Sequence, residues 1–141
     1  MKHLTKPIRA IHFMVLAFLM TFSSPVAAQD FQKGEAAYKA GDYATAFQEW
    51  KPLAEGGNSN AQHNLGLMYG KGRGVPQDDK ESAKWYALAA EQGVYLAQFS
   101  LGYSYSKGRG VLQDYEQAAK WYTSAAFQGF HMAQLNLGIL Y

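Results

Sequence analysis

The chain has 141 residues, 48% of them apolar and 17% charged, with no cysteine and a formal charge of +2. That length allows one domain at most, and 15% aromatics beside only 4 prolines exclude a disordered chain. The absence of cysteine excludes a disulfide scaffold, a thiolate zinc site, a cysteine nucleophile and a lipid-bearing cysteine.

The positive charge belongs to the N-terminus. Residues 1–28 carry Lys2, Lys6 and Arg9 and no acid, and beyond them ten basic and eleven acidic residues leave a net −1, so a nucleic-acid partner has no electrostatic basis. Met1 to Arg9 is a basic stretch, Ala10 to Phe22 an apolar run, and Ser23 to Ala28 ends in small side chains. This is the pattern of an export signal. An apolar helix of that length rises about 20 Å, short of a hydrocarbon core of about 30 Å. Residues 1–28 are therefore read as a signal peptide cut between Ala28 and Gln29, with the mature protein periplasmic or secreted and touching the membrane only transiently.

Residues 29–60 read as a divergent first unit: a helix from Phe31 to Ala40, a tight turn at Gly41-Asp42-Tyr43, and a helix from Tyr43 to Glu55. Beyond it, one internal offset dominates. Residues 61–96 overlay 97–132 with 20 identities in 36, and a third copy opens at 133–141. A repeat of this period marks a stacked architecture. Each unit reads as two helices. The first, Asn60 to Gly70, sets Ala61, Leu65 and Tyr69 on one face, with Gly66 allowing a neighbour to approach. The second, Asp79 to Gln92, is capped by Asp78, with Glu81 placed for a capping box; Asp114 and Gln117 repeat the arrangement. Gly93 and Gly129 are expected to end the second helices in left-handed conformation.

One repeat cannot bury its apolar face alone, so stacking supplies the core. Trp50, Tyr86 and Tyr122, with Trp85 and Trp121 beside them, read as interhelix packing rather than a cofactor box, and no cofactor is expected. The Lys-Gly-Arg-Gly loops at 71–74 and 107–110 lack the strand before and the Gly-Lys-Ser/Thr end of a phosphate cradle. Gly72, Gly74, Gly108 and Gly110 are instead expected at backbone angles that a Cβ obstructs, with the cations near the helix C-terminal dipole. Beyond residue 28 the only histidines are His63 and His131, with no carboxylate or serine at a diagnostic spacing. Neither a metal site nor a catalytic constellation is expected.

The matched residues, Ala, Leu-Gly, Tyr, Gly-x-Gly-Val, Asp, Ala-x-Trp, Ala-Ala and Gly at a period near 36, resemble the Sel-one-like repeat, a relative of the tetratricopeptide repeat. The pattern is complete at 61–93 and 97–129, partial at 133–141 and loose at 30–57. The resemblance implies an all-α fold, a right-handed α/α superhelix of about seven helices, whose first helices line a concave surface that binds a protein or peptide. Its groove positions carried onto this chain are three rows: His63, Phe99 and Leu135; Asn64, Ser100 and Asn136; Leu67, Tyr103 and Ile139. The middle row can hydrogen-bond to an extended backbone while its neighbours offer apolar contact.

Two other readings follow from the same resemblance. Cysteine-rich relatives are described as β-lactamase-like or penicillin-binding. The only Ser-x-x-Lys here, Ser104 to Lys107, closes a helix instead of opening one and has no Ser-Asp-Asn or Lys-Thr-Gly partner, so the chain is read as non-enzymatic. The third repeat stops at Tyr141, which suggests a truncated member without independent function, or self-association through a last helix whose apolar side, Leu137 and Tyr141, has nothing to pack on.

Export makes a direct prediction. Mass spectrometry of the protein recovered from the cell envelope or medium is expected to find Gln29 as its first residue. A retained Met1 contradicts the cleavage.

Overall fold

The computed structural model describes residues 25–140, all helical or in short connections. Residues 1–24 of the expected signal, and Tyr141, lie outside the described residues. Seven helices follow one another: α1 (Pro25–Lys39), α2 (Tyr43–Glu55), α3 (Ser59–Lys71), α4 (Asp79–Glu91), α5 (Tyr95–Lys107), α6 (Tyr115–Phe127) and α7 (His131–Leu140). Each packs chiefly on its neighbours in sequence, as in a quasi-linear stack. No strand occurs among the described residues. α1 begins six residues before the expected Phe31, because Pro25 is tolerated in a first helical turn and Val-Ala-Ala-Gln continues it. The expected cleavage junction, Ala28–Gln29, falls within this helix.

The caps account for the helix starts. Asp42, Asn58, Asp78 and Asp114 accept from the backbone N–H of Thr45, Ala61, Glu81 and Gln117, at 2.9–3.1 Å. The reciprocal half of the expected capping box is absent. Asp78 N donates to Tyr69 O and Asp114 N to Tyr105 O, each at 3.0 Å, so those donors are already satisfied by the preceding helix, and Glu81 pairs with Lys84 instead. Gly93 and Gly129, with φ of +91° and +86°, follow the second helices as expected.

Three contacts recur and bind the stack. First, each first helix presents a glycine to an aromatic ring of its partner: Gly34 to Trp50, Gly66 to Tyr86, Gly102 to Tyr122. A Cβ at Gly66 would lie 2.5 Å from the Tyr86 ring, and at Gly102 2.8 Å from that of Tyr122. Second, the Lys-Gly-Arg-Gly loop reaches back one repeat. A Cβ at Gly74 would strike Tyr43 O at 2.5 Å, and one at Gly110 would strike Asp79 O. Third, Gln62 Nε2 donates to Ala54 O at 3.1 Å while Gln92 Nε2 donates to Gln62 Oε1 at 2.7 Å and to Gly57 O at 3.1 Å. Gln98 and Gln128 repeat that relay on Ala90 O and Gly93 O. A buried amide left unpaired costs about 1–3 kcal/mol, so the relay holds each repeat to the next.

α7 departs from the expectation for its apolar side. Leu137 and Leu140 pack against the cluster of Ala118, Tyr122, Ala125 and Ala133, so Leu137 does find a partner within the chain. The exposed apolar residues of α7 are Met132, Leu135 and Ile139. Helical periodicity turns these to the other face, 3–4 residues apart.

The glycine contacts can be checked by substitution. Gly66→Ala and Gly102→Ala gain helix propensity but overpack a ring, and urea unfolding should show a net loss of about 1–2 kcal/mol each. Gly138→Ala, where no atom lies within 4 Å, should be neutral or stabilising. Equal stability of Gly66→Ala and wild type contradicts the contact.

Candidate functional site

Among the described residues, three concavities are one pocket repeated. The first, of about 130 Å³, is lined by Glu35, Tyr38, Lys39, Trp50, Asn64 and Leu67. The second, of about 350 Å³, takes Leu67, Lys71, Tyr86, Phe99, Ser100 and Tyr103 among its walls. The third, of about 570 Å³, takes Tyr103, Lys107, Tyr122, Asn136, Ile139 and Leu140. One period separates Lys71 from Lys107, Tyr86 from Tyr122, Ser100 from Asn136 and Tyr103 from Ile139. The first pocket fits the same frame once the α1–α2 connection, four residues shorter than the α3–α4 connection, is allowed for. Each pocket thus lies between two successive first helices and is floored by a buried ring from the intervening second helix, Trp50, Tyr86 or Tyr122.

The floor is apolar in effect. Burial pushes the Tyr86 phenol above its usual range, with the Ser100 and Ser82 hydroxyls opposing, so the hydroxyl stays neutral and can donate or accept. The loop arginines are engaged within the protein. Arg73 Nη1 donates to the Tyr38 hydroxyl at 2.6 Å and its guanidinium lies over the rings of Tyr38 and Tyr43. Arg109 pairs with Asp79 at 3.1 Å. Lys39, Lys71 and Lys107 end the first helices and form no ion pair among the described residues.

The three predicted rows fare differently. Asn64, Ser100 and Asn136 line the first, second and third pockets, with Asn136 also reaching the second; Leu67 and Tyr103 form walls that successive pockets share, and Ile139 walls the third. In the remaining row, His63 and Phe99 are turned toward the second helices and Leu135 is not. His63 packs on Tyr86 with centroids 5.7 Å apart. Phe99 packs on Tyr122 at 5.5 Å and on Phe130 at 5.1 Å, while reaching the second pocket with one edge. Leu135 is 60% exposed and lines no pocket. The lysines and the aromatic floors were missed as site residues, although the repeat alignment places both at fixed positions. Ser104 donates from Oγ to Ser100 O at 3.0 Å, so its hydroxyl is turned to its own helix. No group of three or more His, Asp or Glu that could hold a metal occurs among the described residues, and no described helix is long and apolar enough to cross a membrane.

Stacked helix pairs with one pocket per repeat define an α/α superhelical repeat protein. Residues 59–94 and 96–130 match the Sel1 repeat, and the chain belongs to the Sel1 repeat family. A protective antigen of uropathogenic Escherichia coli with an SLR fold superposes with a TM-score of 0.77 and 40% identity, over 81% of this chain and 25% of that one. A Sel1 repeat protein from Oxalobacter formigenes gives a TM-score of 0.74 and 38% identity, over 78% of this chain and 45% of that one. Among curated proteins, an exopolysaccharide production negative regulator of Rhizobium leguminosarum bv. viciae is 41% identical over 64 residues, 45% of this chain. The matched segment spans 24% of that regulator's length.

His63 gives the site a pH signature. Burial lowers its pKa from the ordinary 6.5, opposed by a hydrogen bond with Asn64. The unfolded chain therefore binds a proton more readily than the folded one, and stability rises with pH between the depressed folded value and 6.5. The neutral ring's contribution is complete above 6.5 and is lost as pH falls through the folded value. His63→Gln is expected to flatten the fall of the urea midpoint on acidification through that window. An unchanged slope contradicts a buried neutral His63.

Proposed function

We propose that the protein is an exported, non-enzymatic scaffold that binds an extended segment of a protein or peptide along its row of pockets. The observation that carries this reading is the threefold repetition of one pocket, with Asn64, Ser100 and Asn136 as hydrogen-bonding lips and Leu67, Tyr103 and Ile139 as apolar walls. A single small substrate needs one enclosed site with convergent polar groups, whereas an extended chain meets the same surroundings at regular intervals. The relative named as a negative regulator is in keeping with action through binding. Export rests on the pattern of residues 1–28, and the absence of a positioned nucleophile favours binding over catalysis.

The test uses Tyr103, which walls two pockets and is 40% exposed, rather than Phe99, whose removal would also unpack Tyr122 and Phe130. In a pull-down from the native envelope, Tyr103→Ala combined with Asn136→Ala should retain helicity and lose most of the partner recovered by wild type, by about tenfold or more in affinity. Equal recovery refutes the groove.

A further inference from the structure

We infer that the occupant of these pockets is an acidic extended peptide, whose carboxylates meet Lys71 and Lys107 while intervening apolar side chains rest on Tyr86 and Tyr122. This rests on the peptide-binding reading above and specifies the partner's chemistry.

The argument begins at the ends of the first helices. A lysine in a last helical turn ordinarily serves the carbonyls there, but these carbonyls are already occupied. Met68 O accepts from Arg73 N, Tyr69 O from Asp78 N, and Gly70 O from Gln77 Nε2, at 2.9–3.1 Å. One repeat later Ser104 O accepts from Arg109 N, Tyr105 O from Asp114 N and Ser106 O from Gln113 Nε2, at 2.9–3.0 Å. Lys71 and Lys107 are thus exposed, have no ion pair among the described residues, and are not needed to terminate their helices.

Charge within each pocket points the same way. In the second pocket Arg109 and Asp79 neutralise one another, which leaves Lys71 as the uncompensated charge among its lining residues. In the third, Lys107 is the only charged lining residue. In the first, Lys39 shares the wall with Glu35, so that pocket is neutral and should contribute apolar contact more than charge. The chain outside residues 1–28 carries a net −1, so two successive uncompensated lysines in one row do not reflect a generally basic surface. A carboxylate seated there gains a charge-assisted hydrogen bond at the rim of a low-dielectric pocket.

Spacing decides the register. Successive pockets share a wall, Leu67 between the first and second and Tyr103 between the second and third, so they lie one helix diameter, on the order of 10 Å, apart. A chain in the extended polyproline-II conformation advances about 3.1 Å per residue with three residues per turn, so every third side chain faces the row about one pocket further on.

The experiment is fluorescence anisotropy on the mature protein with labelled synthetic peptides of roughly twelve residues, long enough to span the row. One carries Glu at every third position with Leu and Ser between. Its companions replace Glu by Gln, replace Glu by Lys, or gather the same glutamates at one end; a polyuronate oligosaccharide is run alongside. The spaced acidic peptide should bind about tenfold more tightly than the Gln peptide, with the advantage shrinking as salt is raised. Lys71→Glu with Lys107→Glu should abolish that advantage, while the charge-matched Lys51→Glu with Lys120→Glu should keep it, all four substitutions preserving helicity. If acidic and Gln peptides bind equally and the Lys71/Lys107 variant is unaffected, the acidic partner is refuted, yet the groove stands provided Tyr103→Ala weakens both. A gathered-glutamate peptide that binds as well as the spaced one refutes the register and with it this inference. Absence of binding by every peptide, or binding by the polyuronate alone, overturns both this inference and the peptide-binding reading.

Discussion

The contact between a glycine of each first helix and an aromatic ring of its partner helix is the constraint on which the rest of the structure depends. At Gly66 and Gly102 a methyl group would lie within 3 Å of the Tyr86 and Tyr122 rings, so the two helices of a repeat approach more closely than any side-chained residue permits. The same approach delivers the ring to the far face of the pair. There it becomes the floor of a pocket between that repeat and the next. Packing and the pocket floor are therefore consequences of one interaction, and a change that separates the helices would remove the floor as well as the core contact.

The register between repeats is held by different chemistry. Apolar contact is non-directional, so it sets distance but not rotation. The Gln62–Gln92 and Gln98–Gln128 relays supply direction, because each amide has to satisfy a particular carbonyl across a junction. The loops add a second tie, with Gly74 and Gly110 lying against the start of the preceding second helix, Arg73 engaging Tyr38 at the end of α1 and the ring of Tyr43, and Arg109 engaging Asp79. Two polar ties and one packing contact per junction hold each repeat in register with the one before it.

The sequence reveals the period, helix pairs, caps and positive-φ glycines, because each depends on residues close in the chain or on direct repetition. It does not reveal which way a row of residues faces. His63 and Asn64 are adjacent, and in a helix adjacent residues point about 100° apart; the alignment establishes that Phe99 is the counterpart of His63 without saying that both turn toward Tyr86 and Tyr122. The glutamine relay was hidden for a similar reason. Gln62 and Gln92 are 30 residues apart, and nothing local marks a surface-type residue as buried. The repeat pattern leaves Leu137 unpartnered because it looks for support from a following second helix, whereas the preceding one, α6, provides it. The lysines were legible as repeated residues, but their freedom depends on carbonyls being satisfied by Gln77 and Gln113 from across the loop.

Repetition within one chain also separates frame from specificity. Between the second and third pockets the glycine, the ring beneath it, the lysine and the relay glutamines are the same residues, while the walls change from Leu67 and Ser100 to Tyr103 and Asn136, and Asp79 gives way to Tyr115. Residues that set the helix approach have little room to vary, since a single Cβ is enough to obstruct it. The lip and wall residues are half-buried or exposed, so they can differ from one pocket to the next with less disturbance to the stack. On the proposed reading, a ligand lying along the row meets one uncompensated lysine in each of the second and third pockets, with apolar contacts that vary between them. If the occupant is the acidic peptide proposed above, discrimination among such partners falls to Leu67, Tyr103 and Ile139 rather than to the lysines: shared charge raises affinity for all of them alike, and only contacts that differ between pockets can tell one sequence from another.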